Sequence, residues 1–194
     1  MRSVLEAVIE RLNEGDESLI RIPEICEATG VNYGSVYHHF GSREGVIDAA
    51  YEMMFTGMAA EDIATLRTIG EQSNSMEEYI VAMQPVIARL SAQEDRRARR
   101  GRRVRIVAAA ITRPELRRII GEAQASVTRE LTAVAKHGQD RGWLRTDIPA
   151  PAIAVMVQAI VFGRTLDDIS VEPVDQADWE IMVTALFTGL LNLV

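Results

Sequence analysis

The amino-acid sequence predicts an all-α fold in two parts, a small N-terminal domain of three helices and a larger helical C-terminal domain. Three observations carry that prediction. Apolar residues recur at helical spacing through most of the chain, no stretch alternates with a period of two for long enough to be a strand, and the breaks fall at capping residues such as Pro23, Gly30, Asn32, Gly41 and Pro114. With 194 residues, 47% apolar and 25% charged, the chain has the composition of a soluble globular protein of one full domain, or of a small domain fused to a larger one.

Leu5, Val8, Ile9 and Leu12 stand at i, i+3, i+4 and i+7, so they share one face of a first helix that stops near Asn13 to Gly15. Pro23 opens the second helix, where a missing N–H costs nothing, and Gly30 closes it by taking a left-handed conformation. Asn32 is the N-cap of a third helix through Phe40, and Gly41-Ser42 separates it from a fourth beginning at Arg43. Val46, Ile47, Ala50, Met53, Met54 and Met58 continue that fourth helix until the polar residues of 70–75. The domain boundary is expected within it, dividing the chain into 1–46 and 47–194.

Met76, Ile80, Met83, Ile87 and Leu90 form the apolar seam of a fifth helix containing Pro85. An arginine-rich stretch then precedes a short helix expected over 104–111. Pro114 starts a longer one, whose Leu116, Ile120, Ala123, Val127, Leu131 and Val134 share a face up to Gly138. The last two helices, expected over 151–166 and 178–193, are apolar almost all the way round. A helix without a polar face must be covered on every side, which a chain this small cannot easily do twice. A second subunit is the expected cover, with Val155, Met156, Ile160, Phe162, Met182, Leu186 and Leu190 at the dimer interface.

One cysteine, Cys26, leaves no partner for a disulfide framework or a multi-cysteine zinc site. No export signal opens the sequence, and the stretch 148–163 falls short of the ~20 apolar residues of a membrane span. A cytoplasmic protein with no membrane partner is expected. The net charge of −7 is unevenly spread: residues 1–57 carry 4 basic and 10 acidic residues, whereas 89–118 carry 11 basic and 3 acidic. All basic residues but Lys136 are arginines, whose planar guanidinium suits bidentate contacts with carboxylate or phosphate.

The segment from Ile22 to Phe40 has the economy of a helix–turn–helix. Ile22, Ile25, Cys26, Val31, Val36 and Phe40 can pack inward while Asn32, Tyr33, Ser35, Tyr37 and His38 point outward from its second helix. Through Ile25-Cys26-Glu27-Ala28-Thr29-Gly30-Val31, Gly34-Ser35-Val36-Tyr37-His38-His39-Phe40 and Ser42-Arg43-Glu44-Gly45-Val46-Ile47, this N-terminal third resembles the TetR family of bacterial transcriptional regulators. The remainder resembles that family in helix order and length, and in the strings Arg113-Pro114-Glu115-Leu116 and Arg141-Gly142-Trp143-Leu144-Arg145-Thr146-Asp147.

The resemblance implies a DNA-binding domain followed by a ligand-binding and dimerisation domain. It implies that Asn32, Tyr33, Ser35 and His38 face base edges or nearby phosphates, that Gly34 allows close approach to the backbone, and that Tyr37, His39 and Arg43 contact phosphates. The implied protein is a homodimeric repressor on a pseudo-palindromic double-stranded operator, released by a small-molecule effector of unknown identity. The other class compatible with the residues is a helical dimer that binds a small molecule or a protein and has lost its DNA. The sequence departs from the family pattern at Arg21, where a capping Ser or Thr is usual, and at Tyr33, where lysine is common. With net −6 over residues 1–57, nonspecific phosphate attraction is expected to be weak.

Adjacent residues on a helix point about 100° apart, so His38 and His39 do not form a metal pair, and no metal or cofactor is expected. No nucleophile motif or phosphate-binding glycine loop occurs, so catalysis is not expected. Candidate effector contacts are Met83, Ile87, Val104, Val107, Ile120 and Trp143, for which plain core is the competing reading. The arginines from Arg96 to Arg103 read as a solvated connector pairing with neighbouring acids, as a site for an anionic ligand, or as auxiliary DNA contacts.

Overall fold

The computed structural model describes residues 1–15, 17–91 and 94–192, apart from the side chains of 89–91, 94 and 95. Leu90 of the expected fifth-helix seam and residue 193, the expected end of the last helix, lie outside that description. Among the described residues the chain forms nine helices: α1 Arg2–Glu14, α2 Ile22–Thr29, α3 Tyr33–Phe40, α4 Arg43–Gln72, α5 Met76–Ser91, α6 Glu94–Thr112, α7 Pro114–Asp140, α8 Ala150–Asp168 and α9 Gln176–Thr188. A short 3-10 turn, Glu17–Leu19, separates α1 from α2, and the one β contact described is an isolated bridge between Leu144 and Leu191.

The chain packs as two compact units, Met1–Met58 with Arg105–Gln124, and Ala59–Val104 with Ala125–Val194. Helices α4, α6 and α7 each supply residues to both. The boundary expected at 46/47 falls inside α4, and the first unit extends past it for a packing reason. Val46, Ile47, Ala50, Met54 and Phe55 form an apolar face of α4 that continues beyond α1 to α3, and Ile106, Ala110, Leu116, Ile120 and Ala123 from α6 and α7 bury it.

Within that first unit, the buried line of α1 is Val4, Val8 and Leu12, with Leu5 and Ile9 half-buried. The apolar face is thus centred one residue earlier than Leu5 implies. Pro23 lies in the first turn of α2, and Gly30 ends it at φ 67°, the left-handed region that glycine enters without a Cβ clash. Asn32 caps α3, its side chain accepting a hydrogen bond from Ser35 N at 3.3 Å.

In the second unit, Tyr79 of α5 stacks on Trp143 with ring centroids 5.0 Å apart, and the Arg141 guanidinium lies 4.5 Å from the centre of the same tryptophan ring. Burial pushes the Tyr79 hydroxyl up to about 12. The Trp143 backbone carbonyl accepts from Asn192 N at 2.9 Å, which ties the turn after α7 to the chain beyond α9.

The arginine-rich stretch is no connector, and the expected short helix over 104–111 is only the end of α6. Arginine is a good helix former, and acids within the same unit pair with three arginines of the run. Arg96 donates to both carboxylate oxygens of Asp62, Arg99 lies 3.6 Å from Glu61, and Arg100 pairs with Asp168 of α8. Helix α8 is apolar and 19 residues long, enough by length and composition to cross a membrane. It nevertheless carries the buried Arg164, whose guanidinium lies 4.4 Å over the ring of Trp179.

Candidate nucleic-acid interface

Helix α3 is anchored by one fully buried side chain, Val36, with Tyr37, Phe40 and the preceding Val31 packed partly against the same core. The rest of the helix is turned outward: Asn32, Tyr33, Gly34, Ser35, His38 and His39 are exposed, and Tyr37 is half-buried. Tyr33 and Tyr37, one helical turn apart, bring their rings to 4.5 Å with a 35° tilt. The hydrogen bond with Tyr33 and partial desolvation raise the Tyr37 hydroxyl above its ordinary value, so it stays protonated. His39 meets Phe40 edge-on at 4.5 Å. A Cβ at Gly34 would stand 3.1 Å from Asn32 Oδ1, so glycine keeps the capping amide in place.

The next turn is built as tightly. Gly41 has φ 77°, Ser42 Oγ accepts from Gly45 N at 3.0 Å, and a Cβ at Gly45 would overlap the Phe40 carbonyl oxygen. Arg43, for which the resemblance implies a phosphate contact, is half-buried, with 30% of its side chain exposed. Its Nε donates to Ile20 O at 3.2 Å, its Nη2 donates to Glu17 O, and its Nη1 lies 3.4 Å from Glu44. Two arms of the guanidinium therefore tie the start of α4 to the 3-10 turn and the residue after it, while the third pairs with the neighbouring Glu44. Backbone hydrogen bonding at the helix start, and then Arg43, hold the Glu44 carboxyl below the usual range.

Beside it lies a charged cluster that sequence order does not reveal. Arg113, between α6 and α7, donates through Nη1 to both Glu17 carboxylate oxygens at 2.9 Å and through Nη2 to the buried Asp48. Tyr51 donates to Glu17 Oε2 at 3.0 Å. Glu17, Asp48 and Arg113 are far apart in sequence, and only the local string Arg113-Pro114 marks the position at all.

The candidate effector residues do not share one core. Met83 and Trp143 belong to the aromatic core of the second unit, where Ile87 is also buried and Val104 half-buried, whereas Val107 and Ile120 pack into the core of the first unit. Of the candidate interface residues, Val155, Phe162 and Leu186 are exposed, Met156, Ile160 and Met182 are half-buried, and Leu190 is buried in the second unit's core. Leu166, Ile169 and Ile181 are more exposed, at 75%, 76% and 67%, although nothing in the sequence distinguishes them. Helices apolar on all sides carry no periodic signal saying which side faces outward.

The fold and this site define a class: a helix–turn–helix reading head followed by a helical unit. Residues 18–50 match the family model described as bacterial regulatory proteins, tetR family. That match covers the helix–turn–helix segment, and the all-α fold is shared with solved TetR-family regulators. A TetR-family transcriptional regulator from Cytophaga hutchinsonii aligns with a TM-score of 0.68 at 20% identity, over 98% of this chain and 94% of that one. GusR of Salmonella enterica gives 0.61 at 20% identity, over 98% and 94%. A transcriptional regulator from Saccharomonospora viridis, solved in complex with choline, gives 0.67 at 15% identity, over 98% and 96%. No curated protein matches the chain.

Proposed function

We propose that this protein is a homodimeric transcriptional repressor of the bacterial cytoplasm, which reads a pseudo-palindromic operator through α3 and releases it when a small molecule binds. The observation that carries the reading is the outward face of α3: six exposed residues from Asn32 to His39, held on a helix fixed from beneath by Val36 and capped by Asn32. A short helix with its N-terminal residues free to meet base edges is the geometry of groove recognition. In functional terms residues 1–46 are the reading head and 47–194 the effector and dimerisation part, with no enzymatic step assigned to either.

Dimerisation is supported by the uncovered apolar side chains of α8 and α9, including Val155, Phe162, Ile181 and Leu186. Binding of a small molecule is supported by the likeness in fold to the S. viridis regulator, solved in complex with choline. In this chain the effector contacts proposed within the second unit are Met83, Ile87, Val104 and Trp143. The base and phosphate contacts proposed are Asn32, Tyr33, Gly34, Ser35, Tyr37, His38 and His39.

Selection of genomic fragments by the purified protein at moderate salt, beside a Tyr33→Ala control, tests the reading. A shared inverted repeat that the control fails to recover is the expected result. Recovery of no common sequence would sink it in favour of a ligand-binding dimer without an operator.

A further inference from the structure

Specific recognition of guanine in the major groove usually comes from Arg or Lys bidentate to O6 and N7, and of adenine from Asn or Gln bidentate to N6 and N7. Of these side chains the reading face carries only Asn32, at its helix cap. Helix α3 reads Tyr-Gly-Ser-Val-Tyr-His-His-Phe and contains no Arg or Lys. The next guanidinium along the chain, Arg43, is committed to Ile20 O, Glu17 O and Glu44. Arg21, at the start of α2, gives its Nη1 to Ser18 O at 2.7 Å. Asn32 caps the helix, its Oδ1 accepting from Ser35 N at 3.3 Å, which fixes the amide against the first turn of α3.

What the face does present is aromatic. Tyr33 is the first residue of α3, the end of a recognition helix that meets base edges, and it is 47% exposed. Its ring is braced from one side by Tyr37 at 4.5 Å, which leaves the other side free and limits the rotamers available to it. Of the four bases only thymine places an apolar group, the C5 methyl, in the major groove.

We propose that Tyr33, braced by Tyr37, is a specificity-determining residue that packs its ring on the C5 methyl of a thymine in each operator half-site. The inference rests on the DNA-binding reading above and adds the chemical group recognised.

The test uses the full-length protein and a duplex selected from a random-sequence library. Each thymine of a half-site is replaced in turn by deoxyuridine, which removes the methyl and nothing else, and the dissociation constant is measured. At one thymine the wild type is expected to lose about fourfold in affinity, the factor corresponding to one buried methyl. Tyr33→Ala is expected to bind more weakly and to be indifferent to that replacement, and Tyr33→Phe to keep the discrimination. Tyr33 is on the surface, so circular dichroism of both variants should match the wild type. A wild type that binds its selected duplex but tolerates every replacement overturns the inference and leaves DNA binding standing. A Tyr33→Ala protein that keeps the full penalty also overturns it. Failure to select any duplex overturns both readings.

Discussion

Arg100 of α6 and Asp168 of α8 form a bidentate ion pair, Nε to Oδ2 and Nη2 to Oδ1 both at 2.6 Å, with the arginine side chain 6% and the aspartate 12% exposed. Arg97 adds a hydrogen bond to the Asp168 carbonyl. The Arg100 hydrogen bonds, and then the charges of Arg100, Arg97 and Arg164, hold the Asp168 carboxyl below its ordinary value against the opposing effect of burial.

Because the folded-state value is depressed, the stabilisation is present above the ordinary carboxylate value of 3.8 and is lost as pH falls through the lower folded value. Asp168→Asn leaves a buried guanidinium without its counter-charge, at an expected cost of about 3 kcal/mol at pH 7. Urea midpoints of wild type and variant should therefore differ at pH 7 and converge as pH is lowered below about 4. A gap that persists unchanged in acid would show that the charge is not what Asp168 contributes.

Arg43 is expected to act on the operator through structure. Removing a guanidinium that holds the Ile20 and Glu17 carbonyls should cost roughly 1–3 kcal/mol of stability in Arg43→Ala. Operator affinity should fall with it. The slope of log Kd against log salt should stay that of the wild type, since a cation that neutralises one phosphate contributes about 0.9 to that slope. A slope reduced by that amount would make Arg43 a phosphate contact after all.

The head is legible in the sequence because its determinants are local: Pro23, Gly30 and Asn32 fix helix ends one turn at a time, and Val36 is the one buried residue of α3. The backbone hydrogen bonds of Arg43 are not legible, because its partners, Ile20 O and Glu17 O, are carbonyls that no residue pattern advertises. The arginine run reads as a connector for a related reason. Its arginines pair with Asp62 and Asp168, residues distant in sequence whose pairing only the fold decides. The second unit hides most, because α8 and α9 are apolar throughout and Leu190 reads like Leu186, although the first is buried and the second is 40% exposed.

That last contrast gives two separable outcomes for the proposed dimer. Phe162→Glu with Ile181→Glu places charges on exposed positions, at 42% and 67%, so a folded monomer is expected in sedimentation equilibrium where the wild type is a dimer. Leu190→Ala removes buried core volume and should lower stability by about 2–5 kcal/mol. A double-glutamate variant that remains dimeric would place the subunit contact elsewhere.

Two glycine substitutions should move stability in opposite directions. Gly121 lies in α7 with nothing within 4 Å of an added Cβ, so Gly121→Ala should stabilise the protein by about 0.5–1 kcal/mol through helix propensity. Gly45 is also helical, but its Cβ would overlap the Phe40 carbonyl oxygen and stand 3.2 Å from the Phe40 carbonyl carbon, and both are backbone atoms. The end of α3 must therefore shift in Gly45→Ala, at a cost of roughly 1–3 kcal/mol. Such a shift displaces His38 and His39 along with Phe40, so operator affinity should fall although residue 45 touches no base. Denaturant midpoints and binding isotherms for the two variants check this, and a Gly45→Ala protein as stable as Gly121→Ala would mean that the α3 to α4 turn has slack that its geometry does not show.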